Sequence, residues 1–173
     1  MTILREGVLQ LEFAALTLYA IIMLAKKIKF NKLIFNLSFG LYISLVVAVC
    51  FFPIRIGVIE EDLNYNFIPF KSIIEICFNY NSNALIGVLG NIVILTPLGI
   101  FFNVYLRQFK DAIIGIVLFS VSIEVIQFMI GLLIGYQYRC VDVDDVILNC
   151  LGGIISCILF RWLFNKLQLK KYN

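Results

Sequence analysis

Glu124, Arg139, Asp142, Asp144 and Asp145 are the residues of this sequence whose types and spacing could do chemistry. Glu124 lies inside the apolar run Ala112–Gly135, among Val, Ile, Phe, Met and Leu, and the other four follow within one short polar segment. An ionisable group at the centre of a membrane helix costs at least about 2.5–3.5 kcal/mol, so it faces a partner or a cavity rather than lipid. Three chemistries are open to the set. The guanidinium fork of Arg139 suits recognition of phosphate or carboxylate. Clustered aspartates could hold a divalent cation, with Asp142 and Asp145 as candidate ligands. Glu124, with Asp142 and Asp145 beside it, could serve as a general acid or base. The sequence has no histidine, which excludes Ser-His-Asp and Cys-His catalysis, histidine metal sites and histidine proton switches.

Structural roles compete with these readings. Asp142 to Asp145 immediately precede an apolar run that reads as a helix, where carboxylates cap exposed N–H groups and complement the dipole; this applies most directly to Asp144. Arg139 could pair with an aspartate or anchor in headgroup phosphates. Glu124 could be a hydrogen-bonded carboxyl inside a helix bundle.

Spacing organises the polar residues into stripes. Ser120, Glu124, Gln127 and Gly131 fall at i, i+4, i+7 and i+11, and so do Asp145, Asn149, Gly152 and Ser156, which places each set on one helix face. Small and polar residues such as Asn149, Gly152, Gly153 and Ser156 let membrane helices approach closely. The connection Tyr136–Asp144 is short, so the two helices are expected to be antiparallel neighbours. Their stripes should face each other, with Gln127 level with Gly152 and Gly153. Asn91 is a further member of this polar core, with Pro97 loosening the backbone below it.

The elements that must carry these residues are membrane helices. Of 173 residues, 62% are hydrophobic and 14% charged, and the mean hydropathy is +0.99, against roughly 45–50% apolar and about 25% charged in soluble domains. A soluble enzyme is excluded. Five apolar runs reach the length that a bilayer core of about 30 Å requires: Val8–Ala25, Leu33–Ile54, Ala84–Leu106, Ala112–Gly135 and Val146–Phe164. The first carries Glu12 and lacks a small-residue cleavage pattern, so it does not read as a cleaved signal peptide. The expected architecture is an all-α integral membrane bundle of about five helices, a single domain over 1–173.

Ten of the fourteen basic residues, among them Lys26, Lys27, Lys29, Lys32, Lys110, Arg161 and Lys166, fall on one side if the five helices alternate. Positive residues favour the cytoplasm, so the N-terminus is expected outside and the C-terminus inside. Glu60, Glu61, Asp62, Glu75, Asp142, Asp144 and Asp145 then face outward. In the second loop, about Arg55–Asn83, Phe70, Ile73, Ile74, Cys77 and Phe78 recur at helical spacing behind Pro69. This is an amphipathic segment that either lies on the outer leaflet or packs over the bundle mouth. The five cysteines form no C-x-x-C pair and read as small membrane-core residues; a Cys77–Cys140 bridge would require an oxidising face. A net charge of +3 points to no nucleic-acid partner.

The ordered motifs carry a family resemblance. Asn91-Ile-Val-Ile-Leu-Thr-Pro97-Leu-Gly99 is similar to the N-x5-P-x-G stretch of VanZ-like membrane proteins, where the residue after the proline is often aromatic rather than the Leu98 found here. Glu124-x-x-Gln127, then Arg139-x-x-Asp142-x-x-Asp145-x-x-x-Asn149-x-x-Gly152, resembles that family's E-x-x-Q…R-x-x-D-x-x-D-x-x-x-N-x-x-G signature. Upstream, Asn66-Phe-Ile-Pro-Phe70 resembles its N-x-I-P-F segment. The resemblance runs from about Asn66 to Gly153. It implies a cell-envelope protein linked to resistance to teicoplanin-type glycopeptide antibiotics.

Two functions follow as expectations. In the first, Arg139, Asp142 and Asp145 engage a lipid headgroup, or that of a lipid-linked cell-wall precursor or lipoglycopeptide, directly or through a divalent cation. Asn149, Gln127, Glu124 and Asn91 line a polar groove below it. In the second, an intramembrane enzyme modifies a polyprenyl- or phospholipid-linked precursor, with Glu124 as acid or base and Asp142 and Asp145 on a divalent cation. A transporter built on five helices without an internal repeat would require a homo-oligomer.

Overall fold

The computed structural model of the chain describes residues 2–3, 5–55, 65–78, 82–106, 108–136 and 139–170. Glu60, Glu61, Asp62, Asn79, Arg107 and Lys171 lie outside them. Five helical stretches are long and apolar enough to cross a membrane: Glu6–Ala25, Phe30–Phe51, Leu85–Leu106, Phe109–Ile134 and Val143–Lys166. The chain is an all-α, multi-pass membrane protein, as its hydropathy requires. It falls into two compact units, residues 1–61 and 62–173.

The first unit is a helical hairpin. Helices α1 (Arg5–Ala25) and α2 (Phe30–Phe51) join through a turn in which Lys27 takes a left-handed φ of 53°. Leu16 packs against Gly40, and the Asn36 amide donates to the Tyr19 hydroxyl at 2.9 Å. Two short strands, β1 (Thr2–Ile3) and β2 (Ile54–Arg55), pair antiparallel, with Ile3 opposite Ile54.

The second unit holds every candidate site residue. Its elements are β3 (Tyr65–Asn66), α3 (Lys71–Phe78), α4 (Ser82–Ile94), α5 (Thr96–Leu106), α6 (Phe109–Ile134), β4 (Val141–Asp142) and α7 (Val143–Lys170). The third span is thus two helices. Pro97 has no N–H to continue the ladder and its ring crowds the preceding turn, so the helix breaks at Leu95. Leu98 then donates to the Leu95 carbonyl, and the Thr96 hydroxyl takes up the Ile92 carbonyl at 2.9 Å. Helix α6 ends at Gly135, whose φ of 82° and N–H bond to the Gly131 carbonyl form a left-handed cap.

The polarity of α6 is that of a helix solvated by lipid. Ser120, Glu124 and Gln127 are buried, whereas Leu118, Val125, Met129, Leu132 and Leu133 are exposed. Helix α7 takes the centre of the unit, against α4, α5 and α6. The Ser120 hydroxyl donates to the Val146 carbonyl at 3.2 Å, which makes α6 and α7 neighbours as expected.

The small-residue stripe of α7 faces elsewhere, however. A Cβ on Gly152 would overlap the Ile92 carbonyl, and one on Gly99 would overlap Ser156 Oγ and the Gly153 carbonyl. Ser156 donates to the Thr96 carbonyl at 2.6 Å, and the Asn103 amide donates to the Cys157 carbonyl at 2.9 Å. Gly152, Gly153 and Ser156 therefore seat the broken third span, with Gly153 also touching Ile116 of α6. The expectation that Gln127 lies level with Gly152 and Gly153 is corrected accordingly. Ser120 already pairs with Val146, and Gln127 is two turns nearer the α6–α7 connection. Small residues announce a close approach, but not which helix makes it.

Candidate functional site

The site grows from the N-terminus of α7, where four backbone donors lack helical acceptors. Asp142, the residue before the helix, is its cap: Oδ1 accepts the Asp144 N–H at 2.8 Å. The same carboxylate does more. Its Oδ1 accepts from the Asn66 amide at 2.8 Å, and its Oδ2 accepts from the Ser72 hydroxyl at 2.5 Å. Strand β3 runs parallel to β4 with Asn66 opposite Asp142, which delivers the amide to the carboxylate. Asn66 Oδ1 in turn accepts the Ile68 N–H at 3.1 Å, shaping the turn toward Pro69.

Asp144 caps a helix other than its own. It is 1% exposed, and its Oδ1 accepts the Phe70 N–H at 2.5 Å. Its Oδ2 accepts the N–H groups of Ser72 and Ile73 at 2.8 and 3.2 Å. A carboxylate at a helix N-terminus meets both the orphan donors and the positive dipole end. Phe70 stands at φ 66°, a left-handed conformation rare for an aromatic residue, and its N–H is one of the three held by Asp144. The amphipathic segment read from sequence is thus helix α3, tied by its first turn to the start of α7. Ile74 and Phe78 on it are exposed.

Glu124 approaches the same point from α6. It is 7% exposed, and its Oε2 accepts the Asp142 N–H at 3.2 Å. Glu124, Asp142 and Asp145 lie near enough to repel one another, and Arg139 near enough to offset part of that repulsion. Asp145 Oδ1 accepts a hydrogen bond from the Asn91 amide of α4. The structure therefore brings together Asn91, Glu124, Arg139, Asp142 and Asp145. Gln127 is buried one turn from Glu124 on the same face. Asn149, one turn along α7 from Asp145, is 3% exposed, and its Oδ1 meets no hydrogen-bond donor among the described residues.

Beside this cluster is a cavity of about 270 Å³ lined by Phe67, Val121, Val125, Phe128, Val143 and Val146 together with Glu124 and Asp142. Tyr65 sits against Phe128 edge-on at 5.8 Å and stacks on Phe67 at 6.0 Å. The groove expected to be polar is walled by valine and phenylalanine. Among the described residues, no three His, Cys, Asp or Glu side chains are arranged to hold a metal ion. Asp142 points its lone pairs at Asn66, Ser72 and the Asp144 N–H, a hydrogen-bonding arrangement that a cation would have to break.

Spacing alone missed Asn66 and Ser72 as partners of the site. In the sequence Asn66 stands only as a motif letter, and Ser72 belongs to no motif. Their signal is the pairing of β3 with β4, across more than seventy residues of sequence.

A family model described as VanZ/LLP1 matches residues 39–165, most of the chain. The chain belongs to the VanZ-like family. The match extends past Asn66 and Gly153, the limits set by the motifs, into α2 on one side and through most of α7 on the other. It thus takes in all the residues that converge on Asp142. No curated protein and no solved structure matches this VanZ-like chain.

Proposed function

We propose that this VanZ-like protein binds the headgroup of a lipid, or of a lipid-tailed envelope ligand, at an outward-facing site centred on Arg139, Asp145 and Glu124. The observation that carries the reading is the junction at Glu124 of a buried ionisable cluster with an apolar cavity. That junction has the shape of an amphiphile. Arg139 takes an anionic group of the ligand, Asp145 and Glu124 take hydrogen-bond donors, and the valine and phenylalanine walls take the beginning of the tail. Within the second unit Lys110, Arg161 and Lys166 fall at the other ends of α6 and α7, and positive residues favour the cytoplasm, which supports an outward-facing site. A protein that held a lipid-linked precursor or a lipid-tailed glycopeptide there would lower access of the drug to its membrane-bound target. The commitment of both Asp142 oxygens to structural partners favours binding over carboxylate–cation chemistry.

The test is resistance to a teicoplanin-type glycopeptide in cells carrying Arg139→Ala, Glu124→Ala or Glu124→Gln. Glutamine keeps an acceptor for the Asp142 N–H, so the last variant tests the carboxyl group itself. All three are expected to lose resistance at wild-type expression. Full resistance in Arg139→Ala and Glu124→Gln would remove the proposed site. A new lipid species in wild-type cells that disappears in an Asp145→Asn strain would replace binding with catalysis.

A further inference from the structure

The far end of the second unit holds another cavity, of about 440 Å³. It is lined by Asn103 and Val104 of α5 and by Phe160, Arg161, Phe164 and Asn165 of α7. Its chemistry differs from that of the cavity beside Glu124, because two amides and a guanidinium stand next to two phenyl rings and a valine. Phe160 and Phe164, one turn apart, stack at 6.2 Å with 18° between their planes and form a flat apolar wall. The Arg161 guanidinium lies 5.4 Å from the centroid of the Phe109 ring, at the start of α6. This cation–π contact restrains the side chain. Asn103 is held by bonds from its amide to the Gly99 and Cys157 carbonyls at 3.0 and 2.9 Å. Lys166 lies 4.9 Å over the Trp162 ring, and Lys110 follows Phe109. Against these cations, the first turn of α6 carries the exposed carboxylate of Asp111.

We propose that this cavity seats one anionic phospholipid of the leaflet at the basic end of the helices. The phosphate pairs with Arg161 beside Asn165, and an acyl chain runs along Val104, Phe160 and Phe164. A guanidinium presents paired donors that match phosphate geometry, and basic pockets between membrane helices suit anionic headgroups. A free phosphate would leave the phenyl wall uncovered, whereas a lipid satisfies both halves of the lining. The site stands apart from the Arg139 cluster and does not depend on the ligand assigned there.

The test uses the purified full chain in detergent, followed by thermal unfolding and native mass spectrometry. The probes are phosphatidylglycerol, phosphatidylcholine with the same chains, and inorganic phosphate. Phosphatidylglycerol is expected to bind roughly fivefold more tightly than phosphatidylcholine, the preference about one basic residue near an anionic lipid supplies. Arg161→Gln should bring that ratio near parity, with Arg161→Lys retaining part of it. Val104→Trp should weaken retention of both lipids by filling the tail slot while leaving the charge in place. Equal affinity for the two lipids in the wild type would overturn the proposal. So would an unchanged preference in Arg161→Gln together with unchanged retention of both lipids in Val104→Trp, or stabilisation by inorganic phosphate equal to that by phosphatidylglycerol.

Discussion

Asp142, Asp144 and Asp145 sit within four consecutive positions and do three different things. Asp144 caps α3, Asp142 caps α7 while holding Asn66 and Ser72, and Asp145 faces Asn91 and the neighbouring carboxylates. Their variants should separate in the same way. Asp144→Ala removes the acceptor of three N–H groups and should cost about 1.5–3 kcal/mol, the range for a hydrogen bond to a charged group. The measurements are the melting temperature in detergent and amide exchange at Ser72 and Ile73, which should accelerate. Asp145→Asn keeps an acceptor for Asn91 and should melt with the wild type while losing ligand binding. Equal destabilisation by the two would mean that Asp145 is structural as well. A sequence reading weighs the three aspartates by position alone. It can see that capping applies to Asp144, but it cannot see that the helix capped is α3.

At the scale of elements, the third span and α7 are joined by a contact that leaves no room for side chains at Gly152 or Gly99. Adding atoms to a packed interface costs roughly 1–3 kcal/mol, and at Gly152 the obstacle is a backbone carbonyl that cannot rotate away. Gly152→Val and Gly99→Val are therefore expected to lower the melting temperature and the folded yield, whereas Gly87→Val, with nothing near its Cβ, should leave both unchanged. The five spans, a loosened backbone at Pro97 and the burial of Ser120, Glu124 and Gln127 were legible, because each follows from composition or from helical periodicity within one segment, whereas the full division of the third span into α4 and α5 was not. The helix facing the glycine stripe was not. Close packing reads the same in one strand of sequence whether α4, α5 or α6 supplies the partner. The parallel pairing of β3 with β4 was equally invisible, since strands of two residues carry no periodic signal.

For the molecule as a whole, orientation can be checked at Cys140, a free and exposed thiol in the α6–α7 connection. In a chain whose other four cysteines are replaced by serine, a membrane-impermeant maleimide should label it in intact cells, and adding Cys140→Ser should abolish that label. Labelling only after lysis would invert the orientation. Although the residue is exposed overall, partial desolvation, then the nearby Asp142, Asp145 and Glu124 carboxylates, push its thiol above the ordinary range. A raised pKa leaves less thiolate at neutral pH, so the labelling rate should keep climbing at pH values where an unperturbed thiol has levelled off.

Membrane residence, the number of crossings, family membership and the identity of the ionisable residues could all be read from the linear chain. Hydropathy and charge act locally and sum along it, so no knowledge of neighbours is needed. Folding alone chose which carboxylates would be consumed in holding helices and which would be left facing a cavity. A carboxylate's role depends on which donors reach it, and those of Asp142 and Asp144 come from a turn around Asn66 to Ile73, brought to the start of α7 by strand pairing. The walls of the crevice were settled in the same way. The polar stripe of α6 turned inward onto β4 and α7, so valines and phenylalanines were left to line the space beside Glu124.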